Sequence, residues 1–252
     1  MKMQFIKLSH YLRKFTFFQA VVLFFKVEIL KVQHLQFKGL NIYLRKGTSD
    51  HIVFFQVMVY GSYEFARKWR GVNVVIDAGA NVGMSSCYFS TLFPEARIIS
   101  IEPEPGNFMQ LVKNTNSLKN VKPLQYALWK NDGVLAIDGT SNETWSFKVK
   151  EQVVLDSEST TQIDAVSIDT LINQFNLECI DVLKIDIEGA EYDLFLENYE
   201  SWLPHVKYIM IELHDGYKKG CSTAVMKALA KFNFSIRLTR KEIIVFINND
   251  FR

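Results

Sequence analysis

The sequence predicts an α/β fold, in which a doubly wound, mostly parallel sheet has helices on both faces and a helical extension precedes it. The chain has 252 residues, of which 48% are hydrophobic and 22% charged, so it can form one sizeable core. From Val72 onward, apolar strand-like runs alternate with helical segments, the order that builds a parallel sheet. We expect residues 1–70 to form a helical and hairpin extension packed on the core, and residues 71–252 to form a Rossmann-like α/β domain.

Composition excludes some partners and indicates a compartment. The net charge is only +2, which gives no global argument for binding nucleic acid. The three cysteines, Cys87, Cys179 and Cys221, are widely spaced and form neither a zinc-binding pattern nor a disulfide framework. Such usage favours a reducing compartment, so we expect a cytoplasmic protein.

Residues 1–33 are predicted to be helical, and two interpretations of their role stay open. Residues 16–25 are largely apolar and follow several basic residues, as in a signal peptide, but no small-residue cleavage site comes after them. The run is also well short of the roughly 20 residues that a membrane-spanning helix needs. We expect a helix packed on the main domain. The alternative is peripheral contact with a membrane surface, or a homo-oligomer interface.

Two short signals lie between this segment and the core. Residues 36–45 alternate polar and apolar side chains and predict a strand, one arm of a small hairpin. Thr48, Ser49 and Asp50 then offer the oxygen acceptors that start a helix, with a helix and a loop after them. Asp50 has a second interpretation, in which it closes a ligand cleft together with Arg45.

Residues 74–83 predict a nucleotide-binding strand, loop and helix. The first three residues are apolar without alternation, as in a buried parallel strand. Gly79 and Gly83 allow a tight turn and a close ligand approach, and residues 84–91 form the helix. A dinucleotide fingerprint reads G-x-G-x-x-G, whereas this sequence reads Asp-x-Gly-x-x-x-Gly. The Asp77 carboxylate suits a positively charged ligand, such as the sulfonium and ammonium groups of S-adenosylmethionine.

The next unit has an acid where a ribose would bind. Glu102 ends a predicted strand over residues 97–102 and lies about 20 residues after the glycine loop, where such folds have the carboxylate that accepts from ribose hydroxyls. A helix over residues 107–118 and a third strand over residues 121–129 follow. Residues 134–161 are polar and predict an inserted hairpin or lid.

Two later strands end in charged side chains. One carries Lys184, Asp186 and Glu188 at alternate positions, and the next carries Glu212 and His214 on one face. Such charges would be costly in a core, but open α/β sheets bind ligands beyond the carboxyl ends of their strands. These side chains are therefore expected at the mouth of a cleft. The chain then has a predicted helix and a closing hairpin, over residues 224–232, 235–238 and 243–247.

In combination, these motifs resemble the FkbM-type methyltransferase family, from about Leu44 to the end of the last helix. The matching stretches are residues 45–50, Gln56 with 61–63, 77–83, 102–103, 184–191 and 212–214. The resemblance implies a fold similar to class I S-adenosylmethionine-dependent methyltransferases, with a seven-stranded sheet whose last strand is antiparallel. It also implies O-methylation of a hydroxyl on a sugar, a glycan or a related natural product, so the expected partner is a small-molecule or glycan acceptor.

Under this hypothesis the cofactor is S-adenosylmethionine. Asp77 would serve its methionine end, directly or through water, and Glu102 its ribose diol. The loop would set its backbone against the cofactor at Gly79, Ala80, Asn81 and Gly83. Asp50 joins this set as the residue that closes the cleft, with the helix-start interpretation equally open.

Methyl transfer to an alcohol needs a base within hydrogen-bond reach, because a protonated hydroxyl is a poor nucleophile. His214 is the first candidate, since its ordinary pKa lies near neutrality, and Asp186 is the second. Lys184, Glu188 and Glu212 complete the candidate catalytic set. Asp186, Glu188 and Glu212 could instead hold a divalent cation that orients and acidifies a diol, although the spacing does not require one.

Two other functions stay open from the sequence. An NAD-dependent oxidoreductase would share the strand, the loop and Glu102, but Asn81 and Val82 occupy the place of the middle glycine of the dinucleotide motif. A catalytically silent glycan-binding or scaffold protein is the other alternative, because fold does not imply activity. The number of polar groups that converge on the strand ends argues against this second alternative.

Overall fold

A helical extension precedes the α/β core, as predicted. The computed structural model describes residues 2–138, 149–150, 160–239 and 243–251. The extension contains two helices, a π-helical turn (Phe25–Ile29) and a hairpin, with the bounds α1 (Lys2–Lys14), α2 (Phe17–Phe24), β1 (His34–Phe37) and β2 (Leu40–Tyr43). None of the described helices is long and apolar enough to cross a membrane.

The hairpin corrects the extent of the strand predicted over residues 36–45. Both arms lie within residues 34–43, because Lys38 and Gly39 adopt positive φ angles of 49° and 83° and reverse the chain between them. The predicted helix and loop follow as α3 (Asp50–Phe54), a π-helical turn (Phe55–Tyr60) and a 3-10 helix (Glu64–Lys68).

The core follows the predicted alternation of strands and helices. Its first half consists of β3 (Val74–Ala78), α4 (Met84–Leu92), β4 (Arg97–Ile101), α5 (Pro105–Thr115) and β5 (Val121–Leu124). The four strands of a second sheet follow, β6 (Ala127–Leu128), β7 (Gly133–Asp138), β8 (Val149–Lys150) and β9 (Thr160–Val166). Its second half consists of α6 (Ile168–Phe175), β10 (Ile180–Ile185), α7 (Glu191–Leu194), α8 (Tyr199–Trp202), a 3-10 helix (Leu203–His205), β11 (Val206–Ile211), α9 (Cys221–Leu229), β12 (Phe234–Leu238) and β13 (Ile244–Asn248).

The third strand, predicted over residues 121–129, is wrong in extent. It divides into β5, which pairs with β4 in the main sheet, and β6, which pairs with β9 in a second sheet. The division occurs because the second half of this stretch pairs with β9, so the chain leaves the edge of the main sheet after Leu124. The predicted insertion contains the antiparallel pair of β7 and β9. Residues 139–148 and 151–159, the rest of the predicted hairpin or lid, lie outside the described residues.

The main sheet has the predicted class I methyltransferase-like arrangement. Within the described ranges it contains seven strands, in the order β12-β13-β11-β10-β3-β4-β5. The five strands from β11 to β5 run parallel, whereas β13 is antiparallel to both of its neighbours. The chain starts in the centre at β3 and builds outward on both sides, so the loops after β3 and β10 meet at the point where the strand order reverses. Open α/β sheets bind ligands at this position.

Two hydrophobic clusters cover the two faces of the sheet. Val75 and Ile76 are consecutive in β3 and point to opposite faces, one into each cluster. The cluster around Val75 includes buried side chains of the extension, among them Tyr11, Phe24 and Phe54. The extension therefore packs against one face of the sheet.

Candidate active site

A cleft of about 290 Å³ opens beyond the carboxyl ends of β3, β10 and β11. Its walls come from the loops after these three strands and from the end of the extension. The structure brings eight of the predicted site residues together in its lining, namely Gly79, Ala80, Asn81, Lys184, Asp186, Glu188, Glu212 and His214. The charged strand ends and the glycine loop therefore form one site, as expected from the parallel topology.

The loop after β3 is held in place by backbone contacts. The N–H groups of Gly79 and Ala80 both donate to the carbonyl of the last residue of β4, at 3.0 and 2.9 Å. Gly79 has a φ angle of 71°, and a Cβ atom there would lie 1.7 Å from the carbonyl oxygen of Asp186. This glycine is therefore required by the close approach of the loops after β3 and β10, whether or not a ligand is bound.

Glu102 lies directly behind the same loop. Its carboxylate accepts from the backbone N–H groups of Asn81 and Glu104, at 2.8 and 3.1 Å, and its side chain is buried. Burial raises the pKa of Glu102 to about 7, against the effect of these two hydrogen bonds. The position beside the loop suits the predicted contact with a ribose, which stays a prediction.

A buried ion pair joins β3 to β10. Asp77 and Lys184 are partners in the register of the two strands, with Nζ of the lysine 3.2 Å from Oδ1 of the aspartate. Lys184 Nζ also donates to two backbone carbonyls at the end of β3, and Asp77 Oδ2 accepts from two serine hydroxyls of α4. Burial by itself would lower the pKa of Lys184, but the facing Asp77 carboxylate, with Tyr63 beside it, raises that pKa above its usual value.

His214 is held between a buried carboxylate and the cleft. Its Nδ1 lies 2.9 Å from Oε1 of Glu191, a fully buried side chain that also accepts from two backbone N–H groups of the loop after β10. The other ring nitrogen, Nε2, lies 3.7 Å from Asp186 and 3.5 Å from Glu188. Burial lowers the pKa of His214, but Glu191 and the other carboxylates outweigh it and raise this pKa to about 9.

Three carboxylates surround the cleft side of His214. Asp186 and Glu188 follow the end of β10, and Glu212, which follows β11, has an oxygen 4.0 Å from Nε2 of His214. Burial, followed by repulsion from Asp186, raises the pKa of Glu188 to about 7. Single ligand atoms of Asp186, Glu188 and His214 lie within 4.8 Å of one another, so these residues could hold a metal ion.

The sequence of the core identifies the family. Residues 77–236 match the family model of the methyltransferase FkbM domain, which is more than half of the chain. The chain belongs to the FkbM methyltransferase family. The matched range includes every candidate residue from Asp77 to His214.

Two curated relatives with similar sequences are also methyltransferases by name. The hexuronic acid methyltransferase AglP of Haloferax volcanii is 26% identical over 172 residues, which are 67% of this chain and 66% of that protein. The 2-O-methyltransferase NoeI of Sinorhizobium fredii is 23% identical over 156 residues, which are 56% of this chain and 63% of that protein. The match thus spans slightly less than two thirds of either relative.

The fold itself is similar to that of a solved structure from Staphylococcus aureus, assigned as a caffeoyl-CoA O-methyltransferase. The TM-score is 0.51 at 9% sequence identity, and the alignment covers 99% of this chain and all of the other. At this low identity the similarity concerns the fold alone.

Four predicted residues of this FkbM methyltransferase lie outside the lining of the cleft. Asp77 lies behind Lys184, and Glu102 lies behind Asn81. Gly83 packs against α5, since a Cβ atom there would lie 2.8 Å from Cδ1 of Leu111. The fourth is Asp50. The cofactor contacts predicted for these residues stay predictions.

Asp50 links the extension to the core through Arg45. Its fully buried carboxylate accepts from the backbone N–H, Nε and Nη2 of Arg45, at 2.7, 3.1 and 2.9 Å. Nη2 of Arg45 also donates to Oδ1 of Asn107 in α5, at 2.7 Å. This pair fixes the start of α3 against α5. The closing of a ligand cleft by Arg45 and Asp50 stays a prediction.

Sequence reasoning missed the role of Glu191 and of several side chains from the extension. Glu191 belongs to the FkbM motif, but its contact with His214 joins residues 23 positions apart, one at the start of α7 and one in the loop after β11. The signal that could have identified Glu191 is its position as an acid in the first turn of a helix after Gly189. Backbone N–H groups at such a position are free to donate to a carboxylate. Gln56, Tyr60 and Tyr63 also line the cleft.

Proposed function

We propose that this protein is an S-adenosylmethionine-dependent O-methyltransferase that acts on a hydroxyl of a sugar, a glycan or a related natural product. Family membership supports methyl transfer, and the names of the relatives, a hexuronic acid methyltransferase and a 2-O-methyltransferase, support a sugar-like acceptor. One observation carries the proposal. The ring of His214 borders the cleft beside the loop of residues 79–81, while the buried carboxylate of Glu191 holds its other side.

The chemistry follows from this arrangement. S-adenosylmethionine, when bound, supplies the methyl group, whose bond to sulfur breaks as its bond to the acceptor oxygen forms. The hydroxyl gives up its proton to Nε2 of His214, and Glu191 stabilises the imidazolium that results. Asp186, 3.7 Å from the same nitrogen, is the second candidate for the base.

The charge of the cleft fits a positively charged cofactor. Nζ of Lys184 lies 3.2 Å from Asp77 and 3.6 Å from Asp186, whereas Glu188 and Glu212 add two further carboxylates that are partly exposed at the cleft. We propose that Asp186 and these two carboxylates attract the positive groups of the cofactor, and that Asp77 acts on it indirectly, by fixing Lys184. The extension adds polar groups, including the amide of Gln56, for a hydroxylated acceptor.

Calorimetric titration with S-adenosylhomocysteine tests the cofactor. The titration is made at pH 8, above the pKa of about 7 of Glu102. We expect the wild type to bind S-adenosylhomocysteine and not to bind NAD. Glu102→Ala should weaken binding at least about tenfold, since a hydrogen bond to a charged group contributes about 1.5–3 kcal/mol. Glu95→Ala, which removes an exposed glutamate just before β4, is the matched control. Binding of NAD instead, or no binding of S-adenosylhomocysteine, would reject the proposal, whereas equal affinity in the Glu102 variant would reject the ribose contact.

A divalent cation is the second candidate for acidifying the hydroxyl. The clustered ligand atoms of Asp186, Glu188 and His214 favour it, since carboxylate oxygens and imidazole suit such ions. With His214 as the base, we expect methyl transfer to continue unchanged after treatment with EDTA. If activity is lost and Mg²⁺ or Mn²⁺ restores it, the three residues act as ligands and His214 is not the base.

A further inference from the structure

Positive charge is concentrated at the start of the chain. Residues 1–38 contain seven lysines and arginines and one acidic residue, whereas the rest of the chain contains 22 basic and 26 acidic residues. The one acidic residue, Glu28, is buried and lies 2.7 Å from Nζ of Lys7. The net charge of +2 therefore conceals a basic extension on an acidic core.

The same extension exposes large apolar side chains. We define the N-terminal face by five of them, with exposed fractions between 53% and 77%, namely Phe5, Phe17, Phe18, Phe25 and Leu30. Three exposed basic or amide side chains lie among them in the sequence, Arg13, Gln19 and Lys26. Aromatic side chains interleaved with basic ones are typical of helices that lie in a membrane interface.

The N-terminal face is exposed although its helices are firmly docked. Tyr11, Ala20, Phe24 and Val27 are buried on the other side of the same helices, in the cluster that includes β3. Tyr11 also donates a hydrogen bond to Glu28, at 3.1 Å. Packing on the core thus accounts for the buried side of the extension and leaves the large apolar side chains of the N-terminal face exposed, although the ring of Phe25 also meets that of Phe24 at 6.2 Å.

A groove of about 480 Å³ continues this face between α2 and β1. Apolar side chains predominate in its lining, including Phe18, Val22 and Phe37, and two lysines, Lys26 and Lys38, border it. Nζ of Lys38 lies 5.5 Å from the centre of the Phe37 ring. An apolar surface bordered by ammonium groups matches an anionic amphiphile, with hydrocarbon against the groove and phosphate against the lysines.

We propose that the N-terminal face docks on a membrane surface that contains anionic phospholipids. The phenylalanines enter the boundary between head groups and acyl chains, and Arg13, Lys26 and Lys38 face the lipid phosphates. A second copy of the chain fits less well, since an interface between two such faces would bring two basic extensions together. The docked element also adjoins the cleft, because the ring of His10 in α1 lies 5.1 Å from that of Tyr60.

Vesicle cosedimentation of the full chain tests the proposal, independently of any methyltransferase activity. We expect binding to vesicles of phosphatidylglycerol and phosphatidylcholine, weaker binding at high salt, and little binding to phosphatidylcholine alone. The double variant F17S/F18S should partition at least about tenfold less, because it removes two of the most exposed aromatic rings. Lys26→Glu should weaken binding in the same direction.

The matched control is M109S/L238S, which removes two equally exposed apolar side chains, at 68% and 75%, from α5 and β12. It should bind vesicles as the wild type does. Circular dichroism checks that both double variants are folded. Three results would overturn the proposal: no cosedimentation of the wild type, equal binding of F17S/F18S, or equal binding to phosphatidylcholine alone. A wild-type dimer that F17S/F18S converts to a monomer, without vesicle binding, would assign the face to a second copy.

Discussion

The variant His214→Gln is expected to bind S-adenosylhomocysteine normally and to lose about 10²–10⁴-fold in kcat, the usual contribution of a general base. Glutamine keeps much of the size of the side chain and can bond to Glu191, but it cannot take a proton from the acceptor hydroxyl at neutral pH. The measurement is transfer of a labelled methyl group to a panel of hydroxylated sugars, together with calorimetry for the cofactor product.

His205→Gln is the matched control, because His205 is exposed just before β11, at the opposite end of the strand from His214. It should leave kcat unchanged. A wild-type kcat in His214→Gln would remove this residue from the reaction. Loss of S-adenosylhomocysteine binding in the same variant would instead assign His214 to the cofactor site.

The pH dependence follows from the raised pKa of His214. A base must be neutral, and with a pKa of about 9 the neutral fraction rises about tenfold per pH unit below that value. We therefore expect kcat/KM to increase up to about pH 9 and then to level off. Glu191→Gln removes a carboxylate that raises this pKa, so the midpoint should move to lower pH. A merely structural role of Glu191 would lower the rate at every pH without moving the midpoint.

The sequence predicts the architecture well because the signal for each core element is local. Apolar β-branched runs mark β3 and β10, and helical segments separate the strands, so the parallel sheet follows from chain order alone. The predicted bounds of a strand are wrong where its pairing partner lies far away in the sequence. The stretch over residues 121–129 looks continuous, yet it leaves the main sheet after Leu124 because β9, far along the chain, pairs with its second half.

The same limit applies to the site. Lys184, Asp186, Glu212 and His214 are predicted together because they end neighbouring strands. Gly79 meets a requirement that the local sequence does not show, since a Cβ atom there would lie 1.7 Å from the carbonyl oxygen of Asp186. Its predicted approach to the cofactor stays a prediction. A spacing of 107 residues separates Asp77 from its partner Lys184, and the register of β3 with β10 determines that pairing. The pattern of apolar residues within β3 or within β10 does not show which residues of the two strands lie side by side.

Lys184→Met is expected to lower the free energy of unfolding by about 3–5 kcal/mol, the usual effect of breaking a buried ion pair. The side chains of Lys184 and Asp77 are 3% and 0% exposed. In the described part of the chain, Oδ1 of Asp77 has no hydrogen-bond partner besides this ion-pair contact. The variant would leave the buried carboxylate of Asp77 without its counter-charge, which is far more costly than losing a surface charge. Urea unfolding at pH 7 measures the change.

A double-mutant cycle separates the loss of the pair from the loss of lysine packing. Asp77→Asn removes the unpaired charge, so Lys184→Met with Asp77→Asn should regain part of the stability that Lys184→Met loses. Lys231→Met breaks the exposed pair with Glu200, at 3.0 Å, and should cause no detectable change. If Lys184→Met unfolds like the wild type, the carboxylate of Asp77 must find another partner or a proton. In that case the ion pair of Asp77 with Lys184 does not stabilise the contact between the loops after β3 and β10.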